Sequence, residues 1–186
     1  MSGRHHDRVS ELSTERLRLR RWRDDDRDAF HALNSDAAVM ATIGPVMDRD
    51  RSDAFLDRIE AAFDADGFGL WCADLDGESI GYVGFARPRF RDGIEIGWRL
   101  RSEWWGRGYA TEAARACLRH GFDDLGFDEV ISFTAVINTR SQRVMERIGM
   151  TRDEGADFEH PNVSIGDPLR PHVLYRIRAT GLPTVP

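Results

Sequence analysis

Residues 94–113 constrain the fold of this chain most, because they predict a strand, a glycine-rich turn and a helix in direct succession. The first part alternates as a strand does, with one face formed by Ile94, Ile96 and Trp98 and the other by Glu95, Gly97 and Arg99. After Gly108, alanines and other apolar residues recur at helical spacing as far as Gly121, which we expect to cap the helix. The chain must therefore turn sharply between the strand and the helix.

The turn at residues 104–109 has the composition of an anion-binding loop. Gly106 and Gly108 allow backbone conformations that other residues rarely adopt, so several consecutive N–H groups can point towards one place. The helix that follows directs the positive end of its dipole to the same place. A phosphate or pyrophosphate is therefore the predicted ligand.

Two common phosphate-binding motifs are excluded at this turn. No Gly-Lys-Ser/Thr follows it, which excludes a P-loop, and Gly106-x-Gly108 lacks the third glycine of the dinucleotide-binding fingerprint. Taken alone, the two glycines fit an ordinary tight turn better than a ligand site. The flanking residues shift the balance towards a ligand site.

With these flanking residues, the stretch resembles the acyl-coenzyme A-binding motif of the GNAT superfamily of N-acetyltransferases, Gln/Arg-x-x-Gly-x-Gly/Ala. The motif aligns with residues 105–110, Trp-Gly-Arg-Gly-Tyr-Ala, between Glu-Ile-Gly-Trp on the strand and Thr-Glu-Ala on the helix. Trp105 replaces the usual Gln or Arg, which makes the run similar to the RimJ/RimL branch of protein N-terminal acetyltransferases. A second similarity covers residues 136–150, where the family places an asparagine and a helical serine or tyrosine against the coenzyme.

The resemblance implies a mixed α/β GNAT fold, with a twisted, mostly antiparallel sheet of six to seven strands, about four helices and a splayed cleft for acyl-CoA. It also implies that acetyl-CoA is the co-substrate and that its pantetheine arm pairs with backbone near residues 98–100. The residues expected to contact the coenzyme are Trp98, Arg99, Leu100, Trp105, Gly106, Arg107, Gly108, Tyr109, Ala110, Thr111, Asn138 and Ser141. From the residues alone, Asn138 is also well suited to capping its helix, and both roles can hold together.

Acyl transfer to an amine needs a base for the incoming ammonium and an acid for the departing thiolate. Glu95 is the candidate base because it lies on the polar face of the strand that would hold the thioester, although such a glutamate is often simply solvated or ion-paired. Ser141 is the candidate acid, with Tyr175 on the last strand in reserve. The implied function is transfer of an acetyl group from acetyl-CoA to a primary amine of a peptide N-terminus or a small molecule. The alternatives are a GNAT-like module that binds acyl-CoA without turnover, as a sensor or scaffold, and a plain phosphate-binding domain.

Length and charge narrow the class of protein further. The 186 residues suffice for one domain with a substantial core, which we place at residues 13–179 between a lead of residues 1–12 and a tail of residues 180–186. The net charge of -6 argues against a nucleic-acid partner and is compatible with a cationic amine. All 26 basic residues are arginine, and those of the first predicted strand, residues 14–22, are expected to form a solvated face.

No metal site and no membrane segment are predicted. The histidines and the two cysteines, Cys72 and Cys117, lack metal-ligand spacing, and both cysteines fall in apolar segments typical of core thiols in a reducing compartment. No apolar run approaches membrane-spanning length. We therefore expect a cytoplasmic enzyme with no metal, membrane or nucleic-acid partner, and a homodimer is possible.

The predicted order of elements is a strand, two helices and three further strands ending at residues 94–100, then helix, strand, helix and a final strand at residues 172–177. Residues 36–48 and 159–171 are expected to be irregular. In the family, the acceptor amine is framed in part by segments that correspond to residues 39–48 and 157–171. Asp157 and Glu159 are acids in this region that could attract an ammonium.

Overall fold

The computed structural model describes residues 11–181, whose strands form one nine-stranded sheet. The strands are β1 (Glu11–Ser13), β2 (Arg18–Arg20), β3 (Leu70–Leu75), β4 (Glu78–Ala86), β5 (Glu95–Leu100), β6 (Glu129–Ala135), β7 (Thr151–Arg152), β8 (Phe158–Glu159) and β9 (Pro171–Arg178). The helices are α1 (Arg27–Ser35), α2 (Ala37–Met40), α3 (Arg49–Asp66), α4 (Tyr109–Asp123) and α5 (Thr139–Arg147). The sheet order is β1-β2-β3-β4-β5-β6-β9-β7, with β8 paired to β9. The predicted mixed α/β class is confirmed, and the additional strands are short edge segments.

β5 and β6 are parallel neighbours that pair near their starts, at Glu95 and Ile131, whereas the other strand pairs of the described sheet are antiparallel. The N–H of Ile131 donates to the carbonyl of Ile94 at 2.9 Å, and the hydroxyl of Ser132 donates to that of Ile96 at 2.8 Å. Within the described residues, the strands have no later register pair, so they diverge towards Leu100 and Ala135. A cleft therefore opens in the sheet beside the start of α4.

The two faces of the sheet carry different helices. On β4, Phe85 packs towards α4, while Tyr82 packs against Phe30 of α1 and Phe55 of α3. Tyr82 is paired across the strands with Arg99, and paired residues share a face. The predicted polar face of β5 thus lies on the side of α1 and α3.

We expected Gly121 to cap α4, but it does not, because the helix continues to Asp123. A Cβ atom at Gly121 would lie 2.8 Å from the ring of Phe85 and 3.0 Å from that of Phe127. The glycine is therefore required by close packing within the helix rather than by its end. Gly149, in contrast, follows α5 with a φ of 91°, as predicted for a glycine that ends a helix.

The single strand predicted at residues 14–22 is a pair of short strands, β1 and β2. Glu11 pairs with Arg20, so the sheet already includes residues 11 and 12, which we had assigned to the lead; residues 1–10 lie outside the described residues. Arg20 contradicts the solvated-face prediction, because its side chain is buried between Asp26 and Asp74 at 2.7 Å from each. The short helix α2 lies within the segment predicted to be irregular.

None of the described helices is both long and apolar enough to cross a membrane.

Candidate functional site

The turn between β5 and α4 has the backbone conformation of an anion-binding loop. Gly106 and Gly108 have φ values of 75° and 84°, in the left-handed region that favours glycine. Gly108 is the N-cap of α4, so the first N–H groups of that helix have no partner within it. A Cβ atom at Gly106 would have no neighbour within 4 Å among the residues that the structure describes, which leaves space for a ligand beside the loop. Residues 106–110 are called the cradle below.

The cradle is held by an ion pair that we did not predict from the sequence. The carboxylate of Glu112 accepts hydrogen bonds from the hydroxyl of Thr14 at 2.5 Å, the N–H of Arg16 at 2.8 Å and Nε of Arg16 at 2.6 Å. Nη1 of Arg16 also donates to the carbonyl of Arg107 at 3.1 Å. Burial alone would raise the pKa of Glu112, but the hydrogen bonds from Thr14 and Arg16 hold it below its usual value. The turn after β1 is thereby tied to the start of α4.

A cavity of about 380 Å³ opens beside the cradle. The expected coenzyme-binding residues that line it are Trp98, Arg99, Leu100, Trp105, Gly106, Gly108, Tyr109, Ala110, Thr111, Asn138 and Ser141. Arg107 is not among the lining residues, because its guanidinium lies over the ring of Trp104, 4.9 Å from the centroid. Only its backbone belongs to the cradle.

The electrostatic character of this cavity is strongly positive. Besides Arg99, it is lined by Arg140, Arg143 and Arg147 of α5, and no acidic residue of residues 11–181 lines it. The spacing of these three arginines places them on one side of the helix, a signal that was present in the sequence but that we did not use. In a protein of net charge -6, this concentration of arginines favours a polyanionic ligand.

Trp105, which replaces the usual first residue of the motif, has structural contacts of its own. Its indole N–H donates to the carbonyl of Leu100 at 2.8 Å, and the guanidinium of Arg140 lies 3.9 Å from its ring centroid. The tryptophan therefore links the end of β5 to α5 across the mouth of the cleft.

A second cavity of about 370 Å³ adjoins the first. The residues that line both are Thr42, Ile43, Trp98, Arg99, Asn138 and Ser141. The second cavity alone contains Glu95, and its walls include the aromatic rings of Phe55, Tyr82 and Phe133. The two cavities are therefore adjoining halves of one cleft, one half rich in arginine and the other largely aromatic.

Glu95 lies on the wall of the second cavity. Burial raises the pKa of its carboxyl group to about 8, and within the described part of the chain no ion pair compensates that burial. Its side chain extends along the floor of the cleft, since a Cβ atom added at Gly97 would be 3.9 Å from Oε1 of Glu95. A carboxyl group that titrates close to neutral pH can exchange a proton with a bound amine.

Asn138 and Ser141 lie at the junction of the two cavities. The side chain of Asn138 accepts from the N–H of Ser141 at 3.2 Å and donates to the hydroxyl of Thr134 at 3.0 Å. Asn138 therefore caps α5, as predicted, and also lines the cleft. Tyr175, the reserve candidate for the acid, lines neither cavity, and its hydroxyl lies 3.4 Å from the carboxylate of Glu146.

The two histidines on the wall of the second cavity were not predicted to come together. His160 and His172 have ring centroids 4.8 Å apart, and burial lowers the pKa of both. They meet because β8 pairs with β9 at residues 158–159, a contact that no local pattern reveals. No metal-binding group of three or more residues occurs among the residues for which the structure gives positions.

The loop acids that we considered as ammonium-binding groups are already paired. Asp157 bonds to Arg152, and Glu159 lies 2.9 Å from Arg170. Neither acid lines the cleft.

Comparison with known proteins adds independent information. Residues 16–151 match the family model of the acetyltransferase (GNAT) domain. The chain is 33% identical over 154 residues to FsC-acetyl coenzyme A-N(2)-transacetylase of Aspergillus fumigatus, over 77% of this chain and 66% of that protein's length. A solved acetyltransferase from Agrobacterium tumefaciens str. C58 is 30% identical, with a TM-score of 0.77 over 91% of this chain and 95% of that one. RimL, a ribosomal L7/L12 alpha-N-protein acetyltransferase solved with coenzyme A, shares the fold at 16% identity, with a TM-score of 0.76 over 90% of this chain and 97% of that one.

Proposed function

Because this chain belongs to the GNAT family of acetyltransferases, we propose that it transfers an acetyl group from acetyl-CoA directly to a primary amine. The observation that carries the proposal is the arginine-lined cavity beside the cradle, which continues into a second chamber containing Glu95. Acetyl-CoA would supply an activated acyl group as a thioester. The protein would hold that group at the junction of the two chambers and expose it to the amine.

The coenzyme half of the cleft offers a group for each part of the ligand. The free N–H groups of the cradle suit the diphosphate, and Arg143 and Arg147 at the rim suit the phosphate on the ribose. β6 diverges from β5 along Gly97 to Leu100, so the backbone N–H and C=O groups on that edge of β5 suit the amides of the pantetheine arm. Gly106, Gly108 and the N-terminus of α4 therefore act mainly through their backbone.

The proposed chemistry uses Glu95 and Ser141. Glu95 accepts a proton from the incoming ammonium, directly or through water, since a carboxyl group with a pKa of about 8 is well matched to that task at neutral pH. A backbone N–H of β5 polarises the acyl carbonyl, as a donor fixed before the reaction starts. Ser141, at the junction of the chambers, returns a proton to the departing thiolate.

Two features bear on the class of acceptor. The Trp105 variant of the motif resembles the RimJ/RimL branch, so a peptide N-terminus is one proposed acceptor. The Aspergillus relative is by name an N(2)-transacetylase, and a small-molecule amine is the second proposed acceptor. We do not favour the non-catalytic alternative, because the second chamber provides both space for an acceptor and a carboxyl group to deprotonate it. We propose that residues 13–179 form the single catalytic unit.

The experiment is an acceptor screen with acetyl-CoA that combines thiol release with mass spectrometry of the products. We expect thiol release that depends on added amine and a product that gains one acetyl group. Acetyl-CoA without amine measures background hydrolysis, and Gly106→Val serves as the cradle-defective control. Tight coenzyme binding without transfer to any amine would contradict the proposed enzyme and support a binding module.

A further inference from the structure

Arg99 is a buried cation that lacks a carboxylate partner among residues 11–181. The residue is 8% exposed, and the one hydrogen bond of its side chain to a described residue is from Nη1 to the amide oxygen of Asn34. Nε is buried and has no hydrogen-bond partner in the described part of the chain. Asn34 is itself fixed by a 3.1 Å bond from Nδ2 to the hydroxyl of Ser52, so this neighbour holds the guanidinium in place without neutralising it.

A second buried arginine of the described sheet, Arg20, shows the kind of partner that Arg99 lacks. Arg20, 4% exposed, has two carboxylates at 2.7 Å, those of Asp26 and Asp74. A buried charge without a counterion is strongly unfavourable, and arginine keeps its charge at any physiological pH. Because Arg99 lines both chambers of the cleft, the missing anion can come from a ligand.

The coenzyme does not account for this anion. Its charged groups are the phosphates, which the proposed function places at the cradle and on the arginines of α5, beyond the end of β5. The arm that would run along β5 is uncharged. The guanidinium of Arg99 lies on the Tyr82 side, 5.4 Å from that ring centroid, within the wall of the acceptor chamber.

We propose that Arg99 binds a carboxylate of the acceptor, so that the acceptor is an amine that carries a carboxylate in the same molecule. This inference rests on the proposed function and specifies its substrate class. The planar fork of a guanidinium matches a carboxylate, whereas a doubly charged phosphate would require further cations in this chamber. Polyamines and amino sugars, which carry no anion, are excluded as preferred acceptors.

The geometry also separates the two groups of the acceptor. Glu95 and Arg99 share a face of β5 and are four residues apart, so their Cα atoms are about 13 Å apart at the rise of a strand. The amine and the carboxylate are therefore separated by several bonds. Linear ω-amino acids and short peptides with an acidic second or third residue have this form.

The test compares linear ω-amino acids with their carboxamides as acceptors. The members of a pair have nearly the same size and shape, and the carboxamide lacks both the charge and the second acceptor oxygen that Arg99 would recognise. We expect kcat/KM to be about 10- to 100-fold higher for the carboxylate, the size of an effect produced by charged hydrogen bonds. Arg99→Met should reduce that preference to within about threefold, and Arg99→Lys should keep part of it. Arg101→Met is the matched control, because Arg101 is paired with Glu78 and Glu103 and lines neither chamber.

A second measurement needs neither turnover nor a folded variant. Calorimetry with the wild-type protein saturated with coenzyme A should show that linear alkyl carboxylates bind and that the matched carboxamides do not. Failure of transfer to every amine, with carboxylate binding intact, would refute the proposed function and leave Arg99 as an anion site. Equal kcat/KM or equal binding for the two ligand series, or an undiminished preference in a folded Arg99→Met protein, would overturn the inference.

Discussion

Replacing Glu95 with glutamine should stabilise the protein at neutral and alkaline pH. The folded state raises the pKa of this carboxyl group from 4.5 to about 8, so folding favours its protonated form. The wild-type protein is therefore most stable with respect to this group below pH 4.5, and it loses stability as the pH rises towards 8. Glutamine resembles the protonated acid and has no such loss.

The size of the effect follows from the same shift. At about 1.4 kcal/mol for each pKa unit, a rise from 4.5 to about 8 sets an upper limit of about 5 kcal/mol. Glu95 is only partly buried and faces an open cleft, so solvent screening reduces the expected difference to about 1–2 kcal/mol.

The assay is urea unfolding of the wild-type protein and Glu95→Gln between about pH 5 and pH 9. The free energy of unfolding of the variant should exceed that of the wild type by an increasing amount as the pH rises. His160 and His172 line the same cavity and titrate in both proteins, so their contributions cancel in the difference. The control is Glu154→Gln, which removes an exposed carboxylate. Parallel pH profiles for wild type and Glu95→Gln would refute the reasoning.

The same substitution should have the opposite effect on catalysis. If Glu95 is the base, kcat of the wild type rises with pH to a plateau above about 8. The variant should lack this dependence and lose about 10²- to 10⁴-fold in kcat, while its affinity for acetyl-CoA is retained. An unchanged kcat would remove Glu95 from the mechanism.

Three other substitutions test the surroundings of the cleft. In calorimetry, Arg143→Ala should raise the Kd for coenzyme A by about tenfold, with a smaller increase at high salt, and should leave the Kd for dephospho-coenzyme A almost unchanged. Arg119 is exposed, and the control variant Arg119→Ala should change neither Kd. Glu112→Gln should lower the free energy of unfolding at neutral pH by about 1–2 kcal/mol, because the hydroxyl of Thr14 and the N–H and Nε of Arg16 lose a charged acceptor. This difference from the wild type should shrink at low pH, as the wild-type carboxylate is protonated around its depressed pKa. Gly121→Ala should lower the melting temperature even though alanine favours helix, because its Cβ would lie 2.8 Å from the ring of Phe85; an increase would contradict the packing argument.

The predictions from the sequence succeeded where the determinants are local. The alternation predicted that Ile94, Ile96 and Trp98 lie on the opposite face of β5 from Arg99. The glycines at 106 and 108 predicted the left-handed turn. Asn138 was predicted as a cap because capping depends on the next three residues alone. The resemblance to a known family supplied the splay between β5 and β6, since no local pattern specifies where two parallel strands diverge.

The predictions failed where contacts join distant parts of the chain. Arg16 supports the cradle through Glu112, 96 residues away, and nothing near Arg16 in the sequence indicates that partner. Arg20 resembled its exposed neighbours until the acids on either side of it were known. Gly121 follows a regular helical pattern whether it ends the helix or packs against Phe85, so only the tertiary structure separates the two roles.

The most direct test of the account is the affinity for coenzyme A of two matched glycine variants. Gly106 and Gly166 have φ values of 75° and 87°, and a Cβ atom at either would meet no described residue within 4 Å, so valine strains both backbones similarly. Gly106 is part of the cradle, and Gly166 lines neither cavity.

Titration calorimetry of coenzyme A into the wild type, Gly106→Val and Gly166→Val therefore isolates the cradle from the effect of strain. The account predicts that Gly106→Val weakens binding by about 100-fold or more, at about 1.4 kcal/mol per tenfold, while Gly166→Val keeps the wild-type Kd. Equal Kd values for the two variants would show that the backbone between β5 and α4 does not hold the diphosphate.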